Sequence, residues 1–161
     1  MTVRRVALIA SLAAIVFAID RITKNAVAEA IPLNEGREVL GPYLRLIHVR
    51  NTGAAFGLLP ERTTLLSILS VLAVLAILYY YRTIAMSSPL IAGTLGMQLG
   101  GAVGNFVDRV RQGYVVDFID VGLDPGPRFW AFNVADSSIV TGIILVTFLL
   151  WLSERRQPTP A

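Results

Sequence analysis

Two aspartates in the C-terminal half stand in settings that suit acid–base chemistry. Asp117 lies within Val115-Val116-Asp117-Phe118-Ile119 with no basic neighbour, an apolar context that disfavours the ionised carboxylate and raises its pKa. Asp136 follows Asn133-Val134-Ala135 at the expected start of a helix, where free backbone amides and the helix dipole stabilise a carboxylate. An N-terminal helix acid with no further role is the plain alternative. If the chain folds Asp117 back onto Asp136, two carboxylates at close range cannot both ionise, and one shared proton makes an acid and a base of the pair. Such a pair activates water against a peptide carbonyl, as in aspartic proteases, without metal, thiol or imidazole.

Little else in the chain competes. The absence of cysteine excludes disulfides, cysteine-ligated zinc, iron–sulfur clusters and thiol catalysis. The single histidine, His48, cannot form a two-histidine zinc site and reads as a surface or packing residue, so no metal and no cofactor are expected. A serine nucleophile, Ser137 or Ser138, with the only lysine, Lys24, as its base is a rival. Against it, Asp20 precedes Lys24 by one helical turn, the favourable order for an ion pair that keeps the lysine protonated. Asp108 and Arg109 are adjacent and are expected to pair with each other as the chain leaves a helix.

The elements that must carry these groups are membrane helices. Of 161 residues 55% are hydrophobic and 16% charged, with a mean hydropathy of +0.65, far from a soluble domain with about a quarter charged. The net charge of +3 and pI of about 9.7 fit basic residues flanking membrane segments better than a nucleic-acid partner. The expected fold is an all-α integral membrane protein in a single domain, with four transmembrane helices and a small extracytoplasmic β-rich surface segment.

The spans are expected at about 6–31, 63–81, 89–107 and 133–152. In the first, Val6 to Ile19 behind Arg4 and Arg5 also suits a cleavable signal peptide, but the helical pattern continues through Asp20 and Lys24 until Pro32. The second carries no charge and closes on Tyr79, Tyr80 and Tyr81 against Arg82, an aromatic interface anchor that makes it the clearest span. In the third, Gly96, Gly100 and Gly104 recur every four residues and line one face for close helix approach.

Four spans place both termini and the Arg82–Ser88 link on one side, and the segments at about 33–61 and 108–132 on the other. The first of these holds a β-prone stretch, Tyr43 to Arg50, able to lie as a short sheet on the membrane surface; the second is mostly loop. Ten of the eleven acidic residues fall on the loop side. Lysine plus arginine number five on the terminal side and nine on the loop side, yet Arg4 and Arg5 abut the first helix, and cytoplasmic termini are favoured.

These residues resemble the bacterial lipoprotein signal peptidases, also called signal peptidase II, over nearly the whole chain. Asp20-Arg21-Ile22-Thr23-Lys24 resembles the D-x-x-T-K segment of that family, and Arg50-Asn51-Thr52-Gly53-Ala54-Ala55-Phe56-Gly57 its R-N-x-G-A-x-[FW]-[GS] segment. Gly100 to Arg109 matches G-G-A-x-G-N-x-x-D-R, followed by Val115-Val116-Asp117-Phe118 and Phe132-Asn133-Val134-Ala135-Asp136-Ser137. The resemblance implies an aspartic endopeptidase of the bacterial inner membrane that cleaves prolipoproteins before their diacylglyceryl-modified cysteine, with Asp117 and Asp136 as the catalytic pair. Asp20, Lys24, Asn51, Gly53, Asn105, Asp108, Arg109, Val116, Asn133 and Ala135 would be the supporting pocket residues. Its expected partners are prolipoprotein substrates and membrane lipid, and the chain is expected to be a monomer. The competing class, a small proton-relay or transport protein, would spread charged residues through the depth of several helices.

Overall fold

The computed structural model describes residues 3–53, 63–84, 88–123 and 125–155. Four long helices and three strands follow in the order α1 (Val3–Ala30), β1 (Gly36–Leu40), β2 (Leu44–Asn51), α2 (Thr63–Ile84), α3 (Pro89–Gln112), β3 (Val115–Val121) and α4 (Val134–Arg155). Residues 54–57 of the Arg50–Gly57 motif, residues 85–87 of the expected link, and the side chains of Tyr80, Tyr81 and Arg82 lie outside the described residues.

Helix α3 is the axis of the bundle and packs against α1, α2 and α4. Its glycines are the reason it can. A Cβ at Gly96 would stand 2.9 Å from Ile9 O, one at Gly100 2.5 Å from Ala13 O, and one at Gly104 2.8 Å from Asp20 Oδ2. This face therefore lies against the backbone of α1 as the four-residue repeat predicts. Gly101 serves the neighbouring helix, with Ala135 O of α4 2.5 Å from where its Cβ would be. Ser88 caps the helix by accepting from the Leu90 N–H, Pro89 fills the first turn, and Gly113 ends it in the left-handed conformation at φ 81°.

Three helices, α1, α3 and α4, are long and apolar enough to cross a membrane, and the described apolar part of α2, Thr63–Tyr79, is shorter. A correction concerns the segment expected at 108–132. Helix α3 continues to Gln112, so Asp108 and Arg109 are helical, and β3 fills Val115–Val121 where mostly loop was expected.

The strands form one antiparallel sheet in the order β1-β2-β3. Phe118 of β3 joins Val27 of α1 and Ile31, just past its end, in a buried apolar cluster that fixes the sheet to the end of the bundle. His48 completes that junction, buried, with Nδ1 2.9 Å from Ile31 O, in keeping with a packing role.

Candidate active site

The register of β2 against β3 pairs Val49 with Asp117 and Asn51 with Val115. Asn51 is therefore the diagonal neighbour of Asp117 on one face of the sheet, within reach of its side chain, and its Nδ2 donates to Asp117 Oδ2 at 2.7 Å. Helix α4 brings the second carboxylate. Asn133 caps this helix: its Oδ1 accepts from the Asp136 N–H at 2.9 Å, while its own N–H donates to Asp136 Oδ2 at 3.3 Å. This reciprocal pair is a capping box with Asn and Asp in its two positions. Asn133 Nδ2 then reaches across to Asp117 Oδ1 at 2.6 Å, and Asn105 of α3 donates to Asp136 Oδ1 at 2.7 Å.

Each carboxylate oxygen of the two aspartates thus accepts an N–H, and the direction of every asparagine is forced. An asparagine side chain has one acceptor end and one donor end. The acceptor of Asn51 is taken by the Gly53 N–H at 2.8 Å, that of Asn133 by the Asp136 N–H, and that of Asn105 by Lys24 Nζ at 2.8 Å. None of those partners can accept, so all three NH2 groups turn to the carboxylates.

Behind Asn105 lies a buried ion network. Lys24 Nζ donates to Asp20 Oδ2 and Asp108 Oδ2, each at 2.7 Å, and Arg21 donates to Asp108 Oδ1. Asp20 Oδ1 accepts the Ala135 N–H at 2.9 Å, which ties α1 to the first turn of α4. The expected Asp20–Lys24 pair is present. The expected Asp108–Arg109 pair is not, because adjacent helical residues point about 100° apart. Asp108 turns to α1, while Arg109 donates to Asn105 O at 3.3 Å and Gly53 O at 3.2 Å. The lysine-activated serine has no basis here, since Ser137 and Ser138 donate to Asn133 O and Ala135 O.

A cavity of about 370 Å³ opens over these groups, with Asn51, Asn105, Arg109, Asp117 and Asp136 on its wall. Its other wall is apolar, formed by Val115, Phe129, Trp130, Ala131, Phe132 and Val140. Asp117 is 2% exposed. Burial first, and then the negative charge of Asp136, push its carboxyl up to about 7 against the opposing hydrogen bonds of Asn51 and Asn133. A group with that value holds or releases a proton near neutrality, and a titrating group in a cleft marks a candidate site. Among the described residues no cluster of His, Cys, Asp and Glu is arranged to hold a metal ion.

All twelve residues singled out from the sequence fall within this assembly, Val116 through its carbonyl, which accepts from Asn133 Nδ2 at 3.4 Å. Sequence reasoning missed the Arg21 partner of Asp108, the aromatic wall, and a cluster of Arg45, Asp120 and Arg128 beside it. Arg21 had a signal, a charge inside an apolar helix next to Asp20. The wall had none, because an aromatic residue lining a cavity reads like any other apolar residue.

The family model described as signal peptidase (SPase) II matches residues 12–152. A lipoprotein signal peptidase of Moorella thermoacetica is 40% identical over 147 residues, covering 91% of this chain and 94% of that protein. One of Halothermothrix orenii is 38% identical over 143 residues, covering 88% and 93%. A bacterial membrane enzyme structure obtained by the in meso method at 2.3 Å resolution superposes with a TM-score of 0.82 at 32% identity, covering 93% of this chain and 92% of that one.

Proposed function

The chain belongs to the signal peptidase II family, and from that premise we propose that it is an aspartic endopeptidase that cleaves prolipoproteins before their diacylglyceryl-modified cysteine, with Asp117 and Asp136 as the catalytic pair. The observation that carries this reading is the pair itself. Two carboxylates from different elements face one cavity, share Asn133 as a partner, and have every oxygen held by an N–H.

In the proposed reaction one carboxyl carries the shared proton and the other is ionised. The ionised member takes a proton from a water molecule as the water oxygen attacks the scissile carbonyl, and the protonated member hydrogen-bonds the carbonyl oxygen. Collapse of the tetrahedral intermediate breaks the C–N bond, and a proton passes from the pair to the leaving nitrogen. The asparagine amides each give a hydrogen bond to the carboxylates and so orient the pair. Arg109, which lines the cavity, is suited to stabilise the carbonyl oxygen as it gains negative charge.

We infer a topology of four spans, both termini cytoplasmic, and the sheet and cavity at the extracytoplasmic face of the bacterial inner membrane, the protein acting as a monomer. The test is cleavage of a diacylglyceryl-modified prolipoprotein by the purified protein in detergent, with chelator present. Wild type is expected to cut, and Asp117→Asn and Asp136→Asn are each expected to remain folded and bind substrate without cutting. Cleavage by either variant would remove the pair from the mechanism, and no cleavage by wild type would favour the proton-relay reading.

A further inference from the structure

The residues that follow β3 do not leave the sheet. Gly122 bridges to Arg128 and Ile119 to Phe132 in antiparallel fashion, with hydrogen bonds from the Phe129 N–H to Val121 O at 2.7 Å and from the Phe132 N–H to Ile119 O at 3.1 Å. Residues 128–132 therefore cover the free edge of β3. They are also the residues whose side chains, from Phe129 to Phe132, form the apolar wall of the cavity, where Phe129 and Phe132 meet edge to face with ring centroids 5.9 Å apart.

One buried carboxylate grips this strip. Asp120 stands opposite Arg45 in the β2–β3 register and accepts from Arg45 Nε at 2.9 Å and Nη2 at 2.6 Å. Arg128 Nε donates to both oxygens of Asp120, at 2.8 and 2.9 Å, and its two Nη groups reach Pro42 O at 3.0 Å and Asp120 O at 3.3 Å. A single guanidinium thus ties the β1–β2 turn, β3 and the returning strip together, a task that needs several donors in a rigid fork. Gly122 admits it closely, since a Cβ there would stand 2.6 Å from Arg128 Cα. None of these groups touches the Asp117 and Asp136 carboxylates or the Lys24 network.

We propose that Arg128, held by Asp120 and Arg45, is a positioning residue for substrate: it fixes Phe129 and Trp130 as the wall against which the acyl-bearing residue of the substrate is seated. The chemistry of the two walls supports this division. The polar wall suits a peptide backbone, whereas Phe129 and Trp130, each more than half exposed, offer an aromatic surface to hydrocarbon. The inference rests on the proposed function for the identity of its ligand.

The test pairs binding with cleavage. In a Trp151→Phe background Trp130 is the only tryptophan, and its fluorescence reports binding of a diacylglyceryl-modified peptide in detergent; cleavage of the same peptide gives KM and kcat. Arg128→Ala is expected to weaken binding and raise KM about tenfold while kcat stays within about twofold, the pattern of lost binding equal in ground and transition states. The upper pH limb of cleavage is expected to stay in place. Arg128→Lys, which keeps the charge but not the fork, is expected to recover little, and it is the variant to read should Arg128→Ala not fold. In cleavage assays, Arg128→Ala is expected to cost less in a Trp130→Ala background than in the wild type, Phe129 being the part of the wall left for it to position, because Arg128 acts through the wall. Unchanged KM in both Arg128 variants, a fall in kcat at constant KM, or an additive double variant would overturn the proposal. Wild-type cleavage with unaltered binding by Arg128→Ala removes the clamp and leaves the function. Weakened binding by Arg128→Ala with no wild-type cleavage removes the function and leaves the clamp.

Discussion

Asp117 carries the clearest consequence for pH. Burial and the neighbouring Asp136 charge raise its carboxyl from 3.8 to about 7, so the pair keeps its shared proton up to neutrality and loses it above. Cleavage, read as kcat/KM, is expected to fall as pH rises through about 7. The hydrogen bond from Asn51 stabilises the ionised form of Asp117. Asn51→Leu removes it, and the limb is expected to move upward by roughly one pH unit, the size of a lost hydrogen bond to a charged group. Stability has its own slope. The folded state holds the Asp117 proton more tightly than the unfolded state, so the stabilising contribution is complete below about 4 and is lost as pH rises to about 7. Thermal unfolding across that window is expected to show the loss in wild type and a weaker dependence in Asp117→Asn. Asp120, three residues along β3, behaves oppositely: burial would raise it, but hydrogen bonds from Arg128 and Arg45 prevail and hold its carboxyl low, so the Arg128 clamp persists well into acid.

At the scale of the element, the helix contacts depend on what is missing from α3. Gly100 sits where a Cβ would meet Ala13 O at 2.5 Å, whereas at Gly93 the nearest atom is Leu12 Cδ1 at 3.4 Å, the end of a flexible side chain. Gly100→Ala is therefore expected to push α1 away from α3 and cost about 1–3 kcal/mol, as overpacked sites do. Gly93→Ala should be neutral, or stabilising by up to about 1 kcal/mol through helix propensity. Thermal midpoints of the two variants in one detergent check both. Activity should follow stability for Gly100→Ala, because α1 carries Asp20 and Lys24 and α3 carries Asn105. The four-residue glycine repeat announced this face in the sequence.

Across the whole molecule, three helices converge on Lys24, which is 2% exposed between Asp20 and Asp108, both fully buried. Lys24 holds α1 to α3 through Asp108, and Asp20 holds α1 to α4 through the Ala135 N–H. Lys24→Met leaves Asp20 without its cation partner and frees the acceptor end of Asn105. Removing one member of a buried charged network costs about 3–5 kcal/mol, so this variant is expected to lower the thermal midpoint sharply or to prevent folding. Where it folds, Asn105 is free to reverse its amide, and loss of cleavage is expected to exceed loss of folded protein. Activity per folded molecule measures that difference.

Composition and periodicity alone determined the membrane character, the helix around Asp20 and Lys24, the glycine face of α3 and the start of α4 just before Asp136, and resemblance of the motifs pointed to the family. Each is a local pattern, fixed by helical spacing or by the polarity of neighbouring residues. The Asp20–Lys24 pair was legible for the same reason, since residues one turn apart meet in any helix. Tertiary structure decided the rest. Whether Asp108 meets Arg109 or Lys24 depends on how α1 crosses α3, and the meeting of Arg45 with Asp120, 75 residues apart, depends on strand register. The direction of each asparagine amide depends on a partner contributed, for Asn105, by another helix. A Phe or Trp facing lipid, core or cavity carries the same apolar signal, so only the fold could make Phe129 and Trp130 a wall.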